Sequence, residues 1–171
     1  MSLPRLLPAR RAKRLASSVC ALAVAIGALG LLADPASAEM KCTGRTDANV
    51  CLTITSNNNQ STYFIHIGID VHMSLSEAQA YVRQGRPFTV RMMGSDTFSD
   101  DVLFEVPMSA IGASAESGLG ADFDVAVGQF AMDEDDSFFD DIDEVYANID
   151  LFNSRNGRTF NYRSHKFTQV F

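Results

Sequence analysis

The sequence contains no tryptophan, and only three cysteines and three histidines among 171 residues. Each shortage removes a class of chemistry. Without an indole face on which to stack a sugar ring, a chain this small is poor material for a glycoside-cleaving cleft. Cys20 lies in the N-terminal apolar run, which leaves Cys42 and Cys51, and their Cys-x8-Cys spacing matches neither a redox nor a zinc signature. Nucleophile motifs are missing too: Gly112-Ala113-Ser114-Ala115-Glu116 departs from the nucleophile elbow at its last position. The chain has no His-Glu-x-x-His and no phosphate-binding loop. A small carboxylate- or metal-dependent hydrolase is therefore the least favoured reading, kept only because carboxylates are abundant.

Basic residues are also scarce once the N-terminus is set aside. Arg5, Arg10, Arg11, Lys13 and Arg14 precede an apolar or small-residue run from Leu15 to Ala33, and Ala36-Ser37-Ala38 follows Pro35. That order is the pattern of a secretory signal: a positive region, an apolar region, then small residues at the cut. Residues 1–38 are expected to be a cleavable signal peptide, cut between Ala38 and Glu39, with residues 39–171 forming one mature domain. Gly27, Gly30 and Pro35 favour cleavage over a membrane anchor, although the run is about long enough to span. Cys20 opens the run rather than closing it, which is wrong for a lipoprotein. The context of Arg10-Arg11 fits general export better than the twin-arginine route.

The chain is thus expected to be secreted or held in the cell envelope, with no membrane span after cleavage. In that oxidising setting Cys42 and Cys51 should form a disulfide. Closing a loop of about ten residues stabilises by about 2.5–3 kcal/mol in the chain-entropy account. The leader holds five of the 14 basic residues and one of the 21 acidic ones, leaving 9 against 20 and a net charge of −11. Such a surface repels phosphate backbones and anionic lipid, so nucleic acid is not an expected partner. An unidentified protein or cell-surface ligand is.

Period-two alternation dominates the mature region. Tyr63, Ile65, Ile67, Ile69, Val71 and Met73 are apolar, with His66, Asp70 and His72 between them, the pattern of a long strand with one buried face. Val50, Leu52 and Ile54 repeat it, and the intervening Asn57–Ser61 has turn composition, so the two strands should form a hairpin. Within that turn Asn59-Gln60-Ser61 is a glycosylation sequon. Ser74 with Glu77 reads as a capping box opening one short helix, striped by Leu75, Ala78 and Val82 and stopped by Gly85 and Pro87.

Further strands are expected at 88–92, 102–106 and from Phe123, with a bulge at Gly128, and again at 145–152. Asn156-Gly157 should turn into a strand at 159–163, and Phe167–Phe171 closes the chain. Residues 109–121, rich in Gly, Ala and Ser, read as a mobile loop. Seven to eight antiparallel strands with one short helix predict a mainly β domain, an antiparallel β-sandwich first and an open β-barrel second.

The sharpest chemical feature is DEDDSFFDDIDE, residues 133–144, in which eight of twelve residues are carboxylates. Asp133, Asp135, Asp136, Asp140, Asp141 and Asp143 crowd between two strands and repel one another unless solvated or neutralised. Asp96, Asp100 and Asp101 form a thinner echo, since both segments read Asp-x-Phe-x-Asp-Asp. Calcium takes six to eight oxygens in irregular loops and is the cation these carboxylates suit. An EF-hand is excluded, because Phe138 stands where the loop needs glycine and the flanks are strands.

The string Ser95–Met108, SDTFSDDVLFEVPM, resembles the loop-to-strand passage of calcium-dependent C-two domains. It lacks the glycine that usually follows the paired aspartates. The resemblance implies a β-sandwich collecting aspartates from loops at one end. His66 and His72 are roughly 20 Å apart along one strand and do not share an ion. Asp70 and His72 would need a third ligand such as His165. Three readings compete: an exported interaction domain stabilised by calcium, a structural cell-envelope protein with no small ligand, and the hydrolase.

Overall fold

The alternation becomes ten strands and one helix in the computed structural model, which describes residues 38–57, 59–95, 99–132 and 143–169. In chain order the elements are β1 (Ala38–Cys42), β2 (Ala48–Ser56), β3 (Thr62–Val71), α1 (Leu75–Gln84), β4 (Phe88–Ser95) and β5 (Asp100–Glu105). They continue as β6 (Met108–Ser114), β7 (Gly118–Gly128), a 3-10 turn at Gln129–Ala131, β8 (Asp143–Asn153), β9 (Arg158–Arg163) and β10 (Phe167–Gln169). The first sheet has the order β1-β2-β3-β7-β6, and the second runs β10-β8-β4-β5 with β9 also paired to β8. Every pairing is antiparallel. The protein is mainly β, as expected.

Inward-facing positions are those the alternation marks. Val50, Leu52 and Ile54 of β2, Ile65, Ile67 and Ile69 of β3, and Leu119 and Phe123 of β7 are buried on the first sheet. Val90 and Met92 of β4, Val145, Ala147, Ile149 and Leu151 of β8, and Phe167 of β10 answer them from the second. The layers meet directly: the rings of Phe88 and Phe123 lie edge to face with centroids 5.7 Å apart. This is a β-sandwich and not a barrel, since β1 and β6 border opposite sides of the first sheet without pairing to each other.

Local chemistry explains how the chain changes sheets. From β3 it crosses through α1, whose first turn is held by Ser74 Oγ accepting from the Glu77 amide. Gly85 closes the helix with φ 88°, a conformation that carries little cost only without a Cβ. The helix buries Ala78 and packs Val82 against the core as the stripe predicts, adds Tyr81, and leaves Leu75 39% exposed. From β5 the chain returns at Val106-Pro107. The Val106 amide still bonds Val90 of β4, while the Pro107 carbonyl already accepts from Asp124 of β7. Pro107 thus ends an edge strand at a corner, where its missing N–H is not needed.

Three expectations are corrected. Ten strands form instead of seven or eight, the additions including β1 and β6. Residues 109–121 are no loop, for β6 and the start of β7 make a hairpin that buries Leu119 and Ala121. Small side chains conceal strand character, because β propensity reflects packing that Gly, Ala and Ser barely register. Gly128 is the last residue of β7, paired with Thr62, and the register shifts fall at Met92/Met93 and Met108/Ala110.

Cys42 and Cys51 are joined and stand opposite each other in the β1–β2 ladder. Among the described residues no helix is long and apolar enough to cross a membrane. The expected signal peptide lies outside the described residues except for Ala38, which opens β1.

Candidate functional site

The two acidic segments meet the second sheet at the same end. Gly94 of β4 pairs with Asp101 of β5 on one side and with Val145 of β8 on the other. The chain therefore leaves β4 into 96–98, and enters β8 from 133–142, at adjacent strand ends about 4.8 Å apart. Asp100 and Asp101 begin β5, and Asp143 begins β8 opposite Gln169. Asp96, Asp133, Asp135, Asp136, Asp140 and Asp141 lie outside the described residues.

Asp100 is already engaged. The Tyr146 hydroxyl donates to its Oδ2 at 2.7 Å, and Arg163 Nη1 stands 3.8 Å from the same oxygen. The hydrogen bond from Tyr146, against some desolvation and helped by Ser95, Arg163 and Lys166, holds the Asp100 carboxyl below its ordinary value. Arg163 also lies over the Tyr146 ring, 5.2 Å from its centroid, which covers a residue that faces outward yet is only 3% exposed. Next to it Lys166 pairs with Glu144 at 2.8 Å. The chain thus supplies its own cations to two carboxylates at this end. Among the described residues, no three His, Cys, Asp or Glu side chains are gathered to hold a metal ion.

The histidines sit apart. His72 donates from Nδ1 to the Thr46 carbonyl at 2.6 Å, which ties the end of β3 to the loop before β2. His165 is exposed, and its carbonyl accepts from Ser164. Neither is brought to Asp70 in a metal-holding group.

His66 has a different company, on the outer face of the first sheet. Its Nδ1 lies 2.8 Å from Asp124 Oδ1 on β7, and its Nε2 is 3.9 Å from Asp122 Oδ1. Ser109 donates to the other oxygen of Asp124. Those bonds, Ser109 before His66, keep the Asp124 carboxyl below its ordinary value. The order Ser–Asp–His puts the carboxylate in the middle, so the histidine does not reach the hydroxyl and cannot serve as its base.

Beside this cluster the same face holds a shallow trough of about 480 Å³. Its floor follows from the register: Gly68 pairs with Asp122, and Asp70 pairs with Gly120, which pairs in turn with Gly112. Two aspartates and two glycines thus form a checkerboard across β3 and β7, with a third glycine on β6. Each carboxylate leans into the space its glycine neighbour leaves. A Cβ on Gly120 would lie 3.1 Å from Asp70 Oδ1, and one on Gly68 would lie 3.7 Å from Asp122 Oδ1.

Sequence reasoning missed Asp122, Asp124, Ser109 and the glycine floor. Ending the expected loop at 121 and starting the strand at Phe123 left Asp122 unassigned. The polar alternation Gly120, Asp122, Asp124 against Leu119, Ala121, Phe123 was the signal that would have placed them on one face.

No family model, no curated protein and no solved structure matches the chain. The resemblance of Ser95–Met108 to C-two domains therefore extends to no family assignment.

Proposed function

We propose that the chain is an exported, acidic interaction domain whose loop end, where both acidic segments emerge, is stabilised by calcium. The supporting observation is the position of Gly94 between Asp101 and Val145, which makes the two segments neighbours at one end of the sandwich. Carboxylates carried on neighbouring strand ends repel one another, and a multivalent oxygen-seeking cation would offset that repulsion. Export is supported by the N-terminal pattern and is compatible with the joined Cys42 and Cys51. Secretion or residence in the cell envelope, and a protein or cell-surface partner, follow as parts of the same proposal.

A second reading, a structural envelope protein with no small ligand, draws on Asp100. Its bonds to Tyr146 and Arg163 give this carboxylate a role inside the sheet without any metal. Calcium titration of the mature chain during thermal melting separates the two. A site filled at one hundred times its dissociation constant adds about 2.7 kcal/mol, a rise of roughly 8–10 °C for a domain of this size. Such a rise with calcium, absent with sodium at equal ionic strength, supports the first reading. A melting temperature indifferent to calcium at millimolar concentration discards it in favour of the second.

A further inference from the structure

We infer that the trough on the outer face of the first sheet is a docking site for an arginine side chain presented by a basic partner polypeptide. The proposal rests on reading the chain as an interaction domain, but not on calcium at the loop end. Asp70 and Asp122 occupy one diagonal of the checkerboard, Gly68 and Gly120 the other. Among the described residues no donor reaches the Asp70 carboxylate, and the only ring nitrogen within 4 Å of the Asp122 carboxylate is His66 Nε2 at 3.9 Å.

The lysines and arginines in ion pairs are spent elsewhere, Lys41 on Glu39, Arg45 on Asp47, Arg91 on Asp150, Arg163 on Asp100 and Lys166 on Glu144. Among the described residues no lysine or arginine lines the trough, so a complementary charge has to be brought to it. Two carboxylates on a strand diagonal are separated by about 7–8 Å at their backbones. A planar guanidinium with donors on several edges can serve both, whereas an ammonium acts as a single point. The carboxylates cover Gly68 and Gly120, but Gly112 has nothing over it, so the trough opens toward β6, a border strand of the sheet, and an aliphatic stem can lie against the main chain there. A metal ion is the poorer occupant, because the described carboxylates and histidine form no group of three around one point.

Acidic proteins attract basic peptides without any site, so the test must separate shape from charge. Binding of fluorescently labelled hexa-arginine to the mature chain is followed by anisotropy at physiological salt. Gly112→Leu fills the trough without changing charge, and it is sterically open, since a Cβ there meets nothing within 4 Å. Asp70→Asn removes one carboxylate. Glu116→Gln, in the turn between β6 and β7, removes an equal charge outside the trough. Gly112→Leu and Asp70→Asn should each weaken binding about tenfold, and Glu116→Gln less than twofold.

If Gly112→Leu binds like the parent protein, the attraction is diffuse and the proposal is overturned. If Gly112→Leu unfolds, Asp70→Asn against Glu116→Gln decides, and equal losses overturn it. Displacement of the peptide by stoichiometric calcium or zinc, or dimerisation that occludes the trough, assigns the face to another occupant and overturns it as well. Failure here leaves the calcium melt of the loop end unaffected, and the reverse holds.

Discussion

Tyr146 on β8 reaches over the intervening strand β4 to give its hydroxyl proton to Asp100 on β5, 2.7 Å away. The bond clamps the border strand of the second sheet to its middle. Tyr146→Phe keeps the ring under Arg163 but deletes the clamp. Its melting temperature should fall by about 3–6 °C near neutral pH. A loss smaller than the scatter between repeat melts would show that Ser95, Arg163 and Lys166 hold Asp100 without it.

Three carboxyls share one acid response. Asp47 is pushed down to about 2, first by its hydrogen bond from Arg45. Asp100 and Asp124 are lowered as well, chiefly by Tyr146 and by Ser109. A folded-state value below the unfolded one adds stability that is complete above the ordinary aspartate value and fades as pH falls through the lowered one. Melting temperatures should therefore be flat from pH 7 to 5 and drop between pH 4 and 2. Asp124→Asn should shrink that drop. A variant titrating like the parent would remove Asp124 from the account.

The staple between Cys42 and Cys51 spans a sequence separation of 9 residues. Replacing both cysteines by serine should cost about 2–3 kcal/mol in urea unfolding, with a slightly raised m-value if the loss acts through a less compact unfolded chain. Unaltered stability would mean that the β1–β2 ladder alone fixes the N-terminal strand.

Two glycines in one hairpin should behave oppositely. Gly118 has φ 85°, and a Cβ on it would collide with the Val71 carbonyl oxygen and the Met73 amide. Gly112 faces open space. Gly118→Ala should destabilise by more than about 2 kcal/mol, and Gly112→Ala should be nearly neutral. Comparable soluble yields and melting temperatures for the two variants would contradict the packing described.

Ile67 is fully buried, between Leu52 and Phe123 in the register of the first sheet. Ile67→Ala should cost about 2–5 kcal/mol in the urea midpoint. Phe64, on the same strand but 53% exposed, should tolerate Phe64→Ser with little loss. Reversed sensitivities would mean the strand faces the other way.

The contrast between β3 and β6 explains how far sequence reading carries. In β3 branched apolar residues alternate with His66 and Asp70, so burial and face follow from period two alone. In β6 five of the seven residues are Ser, Ala or Gly, and Met108 and Ile111 fall three apart across a register shift, so no period-two face shows and only pairing with β7 gives the segment a strand's geometry. The sites divide in the same way. Asp100 and Asp101 were legible as part of an acidic run, but the engagement of Asp100 was not, because Tyr146 and Arg163 are distant in sequence. The pairing of His66 with Asp122 and Asp124 depends on register between strands more than fifty residues apart, which no local pattern encodes.

Ala38 is the first residue of β1 and stands opposite Thr55. If export proceeds as proposed, this same alanine must sit extended in a peptidase cleft and then leave with the leader, so it can pair with Thr55 only in the uncut chain. Processing and zipping then compete for one residue. Closure of the bond four positions downstream, at Cys42, would tip the contest toward the sheet, so maturation should be fastest while both thiols are still reduced.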